Sequence, residues 1–281
     1  MPEVISNKKK NKPDPEKEMS FWEHLEELRW HIVRSVAVIL TLAIVAFIFR
    51  NIIFDEIILA PKDSGFITNR LLCRLSEILN VQALCLGNLD LEIINIKMSG
   101  QFMTHMYVSI VAGLVLGFPY VMGEVWAFIK PALKPRERKH SGGAVLVCSF
   151  LFLLGVLFSY FLIVPLTLNF LGTYQVSESV ANQIALNSYI STVVSVTFAV
   201  GIVFELPILV FFLTKAGIVT PGFLKKNRKY TLVILLVISA IITPPDIFSQ
   251  VMVCIPLMLL YEISIVISKR AYKHRENELA G

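Results

Sequence analysis

The chain has 281 residues, 55% of them hydrophobic and 17% charged, with 26 Lys and Arg against 21 Asp and Glu. Together with a mean hydropathy of +0.68, this balance excludes an ordinary soluble globular domain. The net charge of +5 does not point to nucleic acid. The cations gather at the ends of apolar runs, where they anchor helices and meet anionic lipid headgroups.

Residues 1–19 are charged and poor in apolar side chains, the composition of a disordered tail. Ser20 and Glu23 then match a capping box, in which the serine oxygen and the glutamate carboxylate satisfy each other's free backbone N–H groups. Phe21, Leu25, Leu28 and Ile32 recur at helical spacing, which predicts an amphipathic surface helix running into a first membrane span. No small-residue cleavage site follows that span, so it is expected to stay.

Apolar runs at 32–49, 102–122, 144–164, 189–213 and 248–267 are each long enough to cross a hydrocarbon core of about 30 Å. A sixth run, fifth in chain order, covers only 230–242 and reaches about 20 Å. It is stopped by Thr243, Pro244, Pro245 and Asp246, because tandem prolines cannot continue a helix.

The pieces between these runs alternate in charge. Residues 1–31, 130–139, 215–229 and 268–281 hold 20 of the 26 Lys and Arg, whereas 165–188 and 243–247 hold none. Cytoplasmic segments retain Lys and Arg during insertion. The expectation is an all-α integral membrane protein of six transmembrane helices, with both termini cytoplasmic and the fifth and sixth spans short. The membrane domain is taken as 20–270 and the C-terminal cytoplasmic tail as 271–281.

The longest piece off the membrane, 51–97, is expected to form an extracytoplasmic cap, with helical periodicity over 70–84 from Leu71, Leu75, Ile78 and Leu79. Cys73 and Cys85 flank that stretch, and the residues leave open a structural disulfide or two free thiols. Cys148 and Cys254 fall in spans and read as small apolar residues.

Enzyme signatures are missing. His24, Leu25, Glu26 and Glu27 do not form HExxH, and the chain has neither GxxxxGK[ST] nor GxSxG. No catalytic residue, metal or cofactor is expected. Glu205 stands out because it lies inside an apolar run, where an ionisable group costs about 2.5–3.5 kcal/mol and marks function by default. Pro207, two residues on, is expected to bend the helix there. Glu137 is a lone acid inside the basic stretch 134–139.

Several of these motifs together resemble the TatC family, the multi-span receptor of the twin-arginine protein translocase. Phe21, Trp22, Glu23, His24, Leu25, Glu26, Glu27, Leu28 and Arg29 resemble its N-terminal HL.ELR motif. Val125, Trp126, Ala127, Phe128, Ile129, Lys130, Pro131, Ala132 and Leu133, with Glu137 and Arg138, resemble its first cytoplasmic loop. Phe204, Glu205, Leu206 and Pro207 are similar to its fourth span, and 224–230 to the loop that follows. Thr243, Pro244, Pro245, Asp246, Ile247, Phe248, Ser249 and Gln250 are similar to its last extracytoplasmic turn, and Ala60 and Pro61 to the start of its first.

The resemblance implies a receptor of the bacterial cytoplasmic (inner) membrane, not a catalyst. It implies twin-arginine signal-peptide binding at Glu27, Arg29, Glu137 and Phe128. It further implies a concave helix array, self-association, and docking of single-span TatA- or TatB-type partners at Glu205, Thr243, Asp246, Gln250 and Pro61. Two departures accompany it. His31 stands where many members have arginine, which would make that corner pH-dependent, and the extracytoplasmic loop is longer than in common bacterial members. The competing reading from the residues is a proton-coupled secondary transporter using Glu205. Against it, the two halves show no repeat symmetry.

Overall fold

The computed structural model describes residues 21–63, 65–79, 92–130, 141–175, 177, 182–242 and 247–280. Helix α1, Phe21–Ile48, joins the surface segment and the first span without a break, as the periodicity requires. It is followed by a π-helical turn, Ile52–Ile58, and a 3-10 turn, Ala60–Lys62. Helix α2, Ile67–Leu79, is the ordered part of the cap. It starts three residues earlier than the sequence suggests, and residues 80–91 lie outside the described residues.

Next come strand β1, Ile93–Ile94, and helix α3, Gly100–Ile129. Helix α4, Ser141–Phe158, passes through a π-helical turn, Ser159–Ile163, into α5, Val164–Thr173. Strand β2, Ile184–Ala185, leads into α6, Leu186–Val203, and α7, Leu206–Lys215, completes the same span. Short α8, Pro221–Lys226, then precedes α9, Arg228–Ile242, and α10, Ile247–Ala280.

Among the described residues, four segments are long and apolar enough to cross a membrane: Leu25–Ile48, Gly100–Ile129, Gly143–Thr173 and Leu186–Lys215. The protein is a multi-pass, mostly helical membrane protein. Helix α9 has 15 residues and extends about 22 Å. Helix α10 runs for 34 residues without a break, continuing through residue 270. Pro256 removes one N–H within it, but its neighbours carry the helix on.

In lipid, helices do not gain by hiding apolar surface from one another, so packing depends on close backbone approach at small residues. Gly113 of α3 shows this. A Cβ built there would lie 2.6 Å from both Ala43 N and Ile39 O of α1. Gly155 and Gly201 do the same for α4 against α6, where an added Cβ would meet Phe204 and Phe152 respectively below 3.0 Å. Helix α6 is the centre of the bundle, with Tyr189, Ile190, Val193, Val196 and Val200 all buried. Helix α1 lies at the edge and turns Leu40, Ile44 and Ile48 outward to where lipid would be.

The end of the bundle away from the basic loops is tied by specific polar contacts. A π-helical turn misaligns its carbonyls, and these need outside donors. Tyr160 OH donates to Ile57 O at 2.7 Å and Tyr189 OH to Ile58 O at 2.9 Å. Thr68 Oγ1 donates to Phe161 O, and Phe66 packs edge-on to Tyr160. Strands β1 and β2 pair in parallel, Ile93 opposite Ile184. This small sheet, unforeseen in an all-α expectation, joins the first extracytoplasmic-type segment to the second. Cys73 is disulfide-bonded, Cys148 and Cys254 are free thiols, and Cys85 lies outside the described residues.

Candidate functional sites

Two groups of polar side chains stand out, one where α1 meets α3 at the basic end of the bundle and one inside the α6–α7 span.

At the first, Glu27 is half-buried on α1, and its Oε2 is buried with no hydrogen-bond partner among the described residues. One turn on, His31 Nδ1 is hydrogen-bonded to Glu124 Oε2 of α3, each side chain about 13% exposed. The ring of Phe128 meets His31 edge-on at 6.1 Å between centroids. Glu124 also has Tyr120 and Arg34 beside it. Trp126 Nε1 is another buried donor without a partner among the described residues, with its ring 4.8 Å from that of Phe212. The result is an aromatic-walled corner that holds one engaged carboxylate and one unengaged one. An unpartnered buried carboxylate oxygen is costly, and a guanidinium offers the fork that would satisfy it.

Of the residues expected here, Glu27 and Phe128 share this corner, and Arg29 is exposed on the same helix. Glu137 lies outside the described residues. Glu124 was missed by the sequence reading. Its only sequence signal is that it is an ionisable residue two positions beyond the apolar run 102–122, which does not reveal its partner.

The second group surrounds Glu205. Residues 204 and 205 form the turn between α6 and α7, and Pro207 is buried just beyond. Proline removes the N–H that would continue the ladder, so the helix bends there as expected. The carboxylate is carried on this bend. Both of its oxygens are buried and neither has a hydrogen-bond partner among the described residues, with Cys148 and the Phe152 backbone the polar groups beside it. Thr197 Oγ1, two turns earlier on α6, is likewise buried without a partner among the described residues.

Thr243 and Asp246, expected near this region, lie outside the described residues. Gln250 Nε2 donates to Leu236 O at 2.9 Å and ties α10 to α9. Pro61 is fully buried in the 3-10 turn.

The rest of the basic end is braced by α8 and α10. Tyr261 OH donates to Leu224 O at 2.9 Å, and Thr214 and Ser268 share a buried 2.8 Å hydrogen bond between α7 and α10. Arg228 pairs with Glu262 at 2.7 Å in an exposed setting. Among the described residues no group of three His, Cys, Asp or Glu is placed to hold a metal ion.

Comparison with known proteins agrees with this geometry. The family model described as "Sec-independent protein translocase protein (TatC)" matches residues 23–256. The TatC of Blattabacterium sp. subsp. Periplaneta americana is 42% identical over 253 residues, covering 89% of this chain and 95% of that relative. TatCy of Bacillus subtilis is 34% identical, covering 94% of each chain. A crystal structure described as the twin-arginine translocase receptor TatC superposes with a TM-score of 0.69 at 35% identity, over 89% of this chain and 99% of that one. The chain therefore belongs to the TatC family, the multi-pass membrane component of Sec-independent protein translocases.

Proposed function

We propose that this chain is the signal-peptide receptor of a twin-arginine translocase in a bacterial cytoplasmic membrane. It spans the membrane six times with both termini inside, α9 and the first part of α10 being the last two spans. Support for the orientation is the alternating loop charge, and a 15-residue α9 fits a locally thinned bilayer. Glu27 and Glu137 receive the paired arginines, Arg29 holds the surface in register, and Phe128 walls the site. A carboxylate matches the planar guanidinium fork, whereas lysine offers only a point charge. The signal's apolar segment then lies against the spans and supplies the remaining affinity. The observation that carries this reading is Glu27 itself, half-buried, with one oxygen unpartnered among the described residues.

Glu205, with Thr243 and Asp246, offers a polar contact to the transmembrane helix of a TatA- or TatB-type partner. The carboxyl is held protonated or hydrogen-bonded and does not cycle as a transported-ion site. Cys73 and Cys85 close the cap as a disulfide.

The direct experiment is signal-peptide photocrosslinking in membranes carrying Glu27→Ala, Glu137→Ala and the double variant. Each single change should reduce crosslinking while insertion is kept, and an undiminished double variant contradicts the reading. Orientation is checked with Ser177→Cys and Lys225→Cys in a cysteine-free background. An impermeant thiol reagent applied outside should label only the first. For the disulfide, mass spectrometry without reductant should find Cys73 and Cys85 protected from alkylation.

A further inference from the structure

The imidazole of His31 has two carboxylates within its neighbourhood, and it is bonded to the one on the other helix. Glu27 precedes His31 by four residues on α1, the spacing at which side chains meet on one helix face. An acid placed four residues before a cation is also the favourable order. Yet Glu27 Oε2 is unpartnered among the described residues, while His31 Nδ1 binds Glu124 across the α1–α3 contact. The groups at this imidazole are Glu124 and the Phe128 ring from α3, with Glu27 one turn back on α1, while Tyr120 and Arg34 crowd the same Glu124 carboxylate.

We infer that Glu124 is a positioning residue for signal capture: it draws His31 across to α3 and so keeps Glu27 open to an incoming guanidinium. The inference rests on the proposed role of Glu27. Glu124 itself need not touch the signal peptide. Its neighbours already occupy it, and that occupation is its contribution. The arrangement matters because a histidine changes charge between about pH 5 and 8. A protonated imidazole without Glu124 would have Glu27 one turn back on its own helix, and would compete there with the arginine of the signal. A neutral imidazole would compete far less.

The test uses the full-length receptor in detergent and a fluorescent twin-arginine signal peptide, with affinity read at pH 6 and pH 8. Glu124→Gln should bind about tenfold more weakly than the unaltered protein at pH 6, the scale of one charge-assisted hydrogen bond, and nearly normally at pH 8. Glu124→Asp, which keeps the charge, should retain the unaltered profile. Adding His31→Asn to Glu124→Gln should restore binding at pH 6, because the competitor is gone. An equal loss at both pH values, no loss, or failure of His31→Asn to rescue would overturn the inference, since a purely structural role predicts no rescue. Glu27→Gln is the reference. Should it leave binding intact, the capture reading falls. A large Glu27→Gln effect without an acid-specific effect of Glu124→Gln removes only the role of Glu124.

Discussion

Glu27 and Glu205 are both carboxylates with buried oxygens lacking a hydrogen-bond partner among the described residues, but their surroundings are opposite. Glu27 sits at the rim of the bundle on a helix that carries Arg29, His31 and Arg34, next to an aromatic wall. Glu205 sits on a proline bend inside a 30-residue apolar segment, with a thiol and a backbone group beside it. Near water, a charged carboxylate is cheap to keep and exchanges partners readily, which suits reversible capture of a cation. Inside hydrocarbon, charge is expensive and a hydrogen bond is the affordable interaction, which suits a contact with another helix. Under the proposed reading, the same side chain serves two tasks because the medium differs.

The largest effect is expected at Glu205. Replacement by Leu removes the only acid of its span, and co-purification of single-span partners should fall by about tenfold or more, the loss of one buried hydrogen bond to a charged or polar group. Signal-peptide binding should stay intact. Glu205→Gln, which preserves hydrogen bonding without charge, should keep substantial export. If Glu205→Gln abolished export as fully as Glu205→Leu with partners still bound, the carboxyl would have to titrate.

A smaller effect comes from Gly113, at a close backbone approach of α1 and α3. Gly113→Leu meets backbone atoms that cannot swing away, so it should cost about 1–3 kcal/mol, read as a lower midpoint of thermal unfolding in detergent. Because α1 and α3 together build the Glu27 corner, peptide affinity should fall while partner association through Glu205 is spared. Unchanged affinity would mean that the corner does not depend on the helix spacing.

The smallest effect is expected at Glu262, a carboxylate already paired with Arg228 in an exposed setting. Glu262→Gln should change stability by no more than about 1 kcal/mol and leave both binding activities unaltered. It sharpens the comparison by showing that an acid at the basic end is not a site merely by being there.

Much of this was legible in the sequence because membrane folding is dominated by two readable constraints, apolar length and loop charge. The four long spans, the bend at Pro207 and the isolation of Glu205 followed from them. What was not legible were contacts between segments distant in sequence. Nothing local in the residues around His31 says that Glu124, 93 positions on, will receive its nitrogen. The β1–β2 pair joins residues 91 apart through two positions each, too short to leave an alternation. The neighbours of Gln250 and Pro61 were not legible either, because polarity and turn chemistry show what a residue can do, not which neighbour it meets. The length of α10 was missed because its apolar part ends well before its helix does.

If capture and docking are separate, measuring both activities on the same two proteins will show it. Glu27→Gln and Glu205→Leu would each be purified with partners co-expressed. Each would be titrated with a twin-arginine peptide and scored for bound partner. The account predicts that Glu27→Gln loses one to two decades of peptide affinity, about 1.5–3 kcal/mol for one partner of a charge-assisted pair, with partner content unchanged. Glu205→Leu should show the reverse. Loss of both activities in either protein would contradict it.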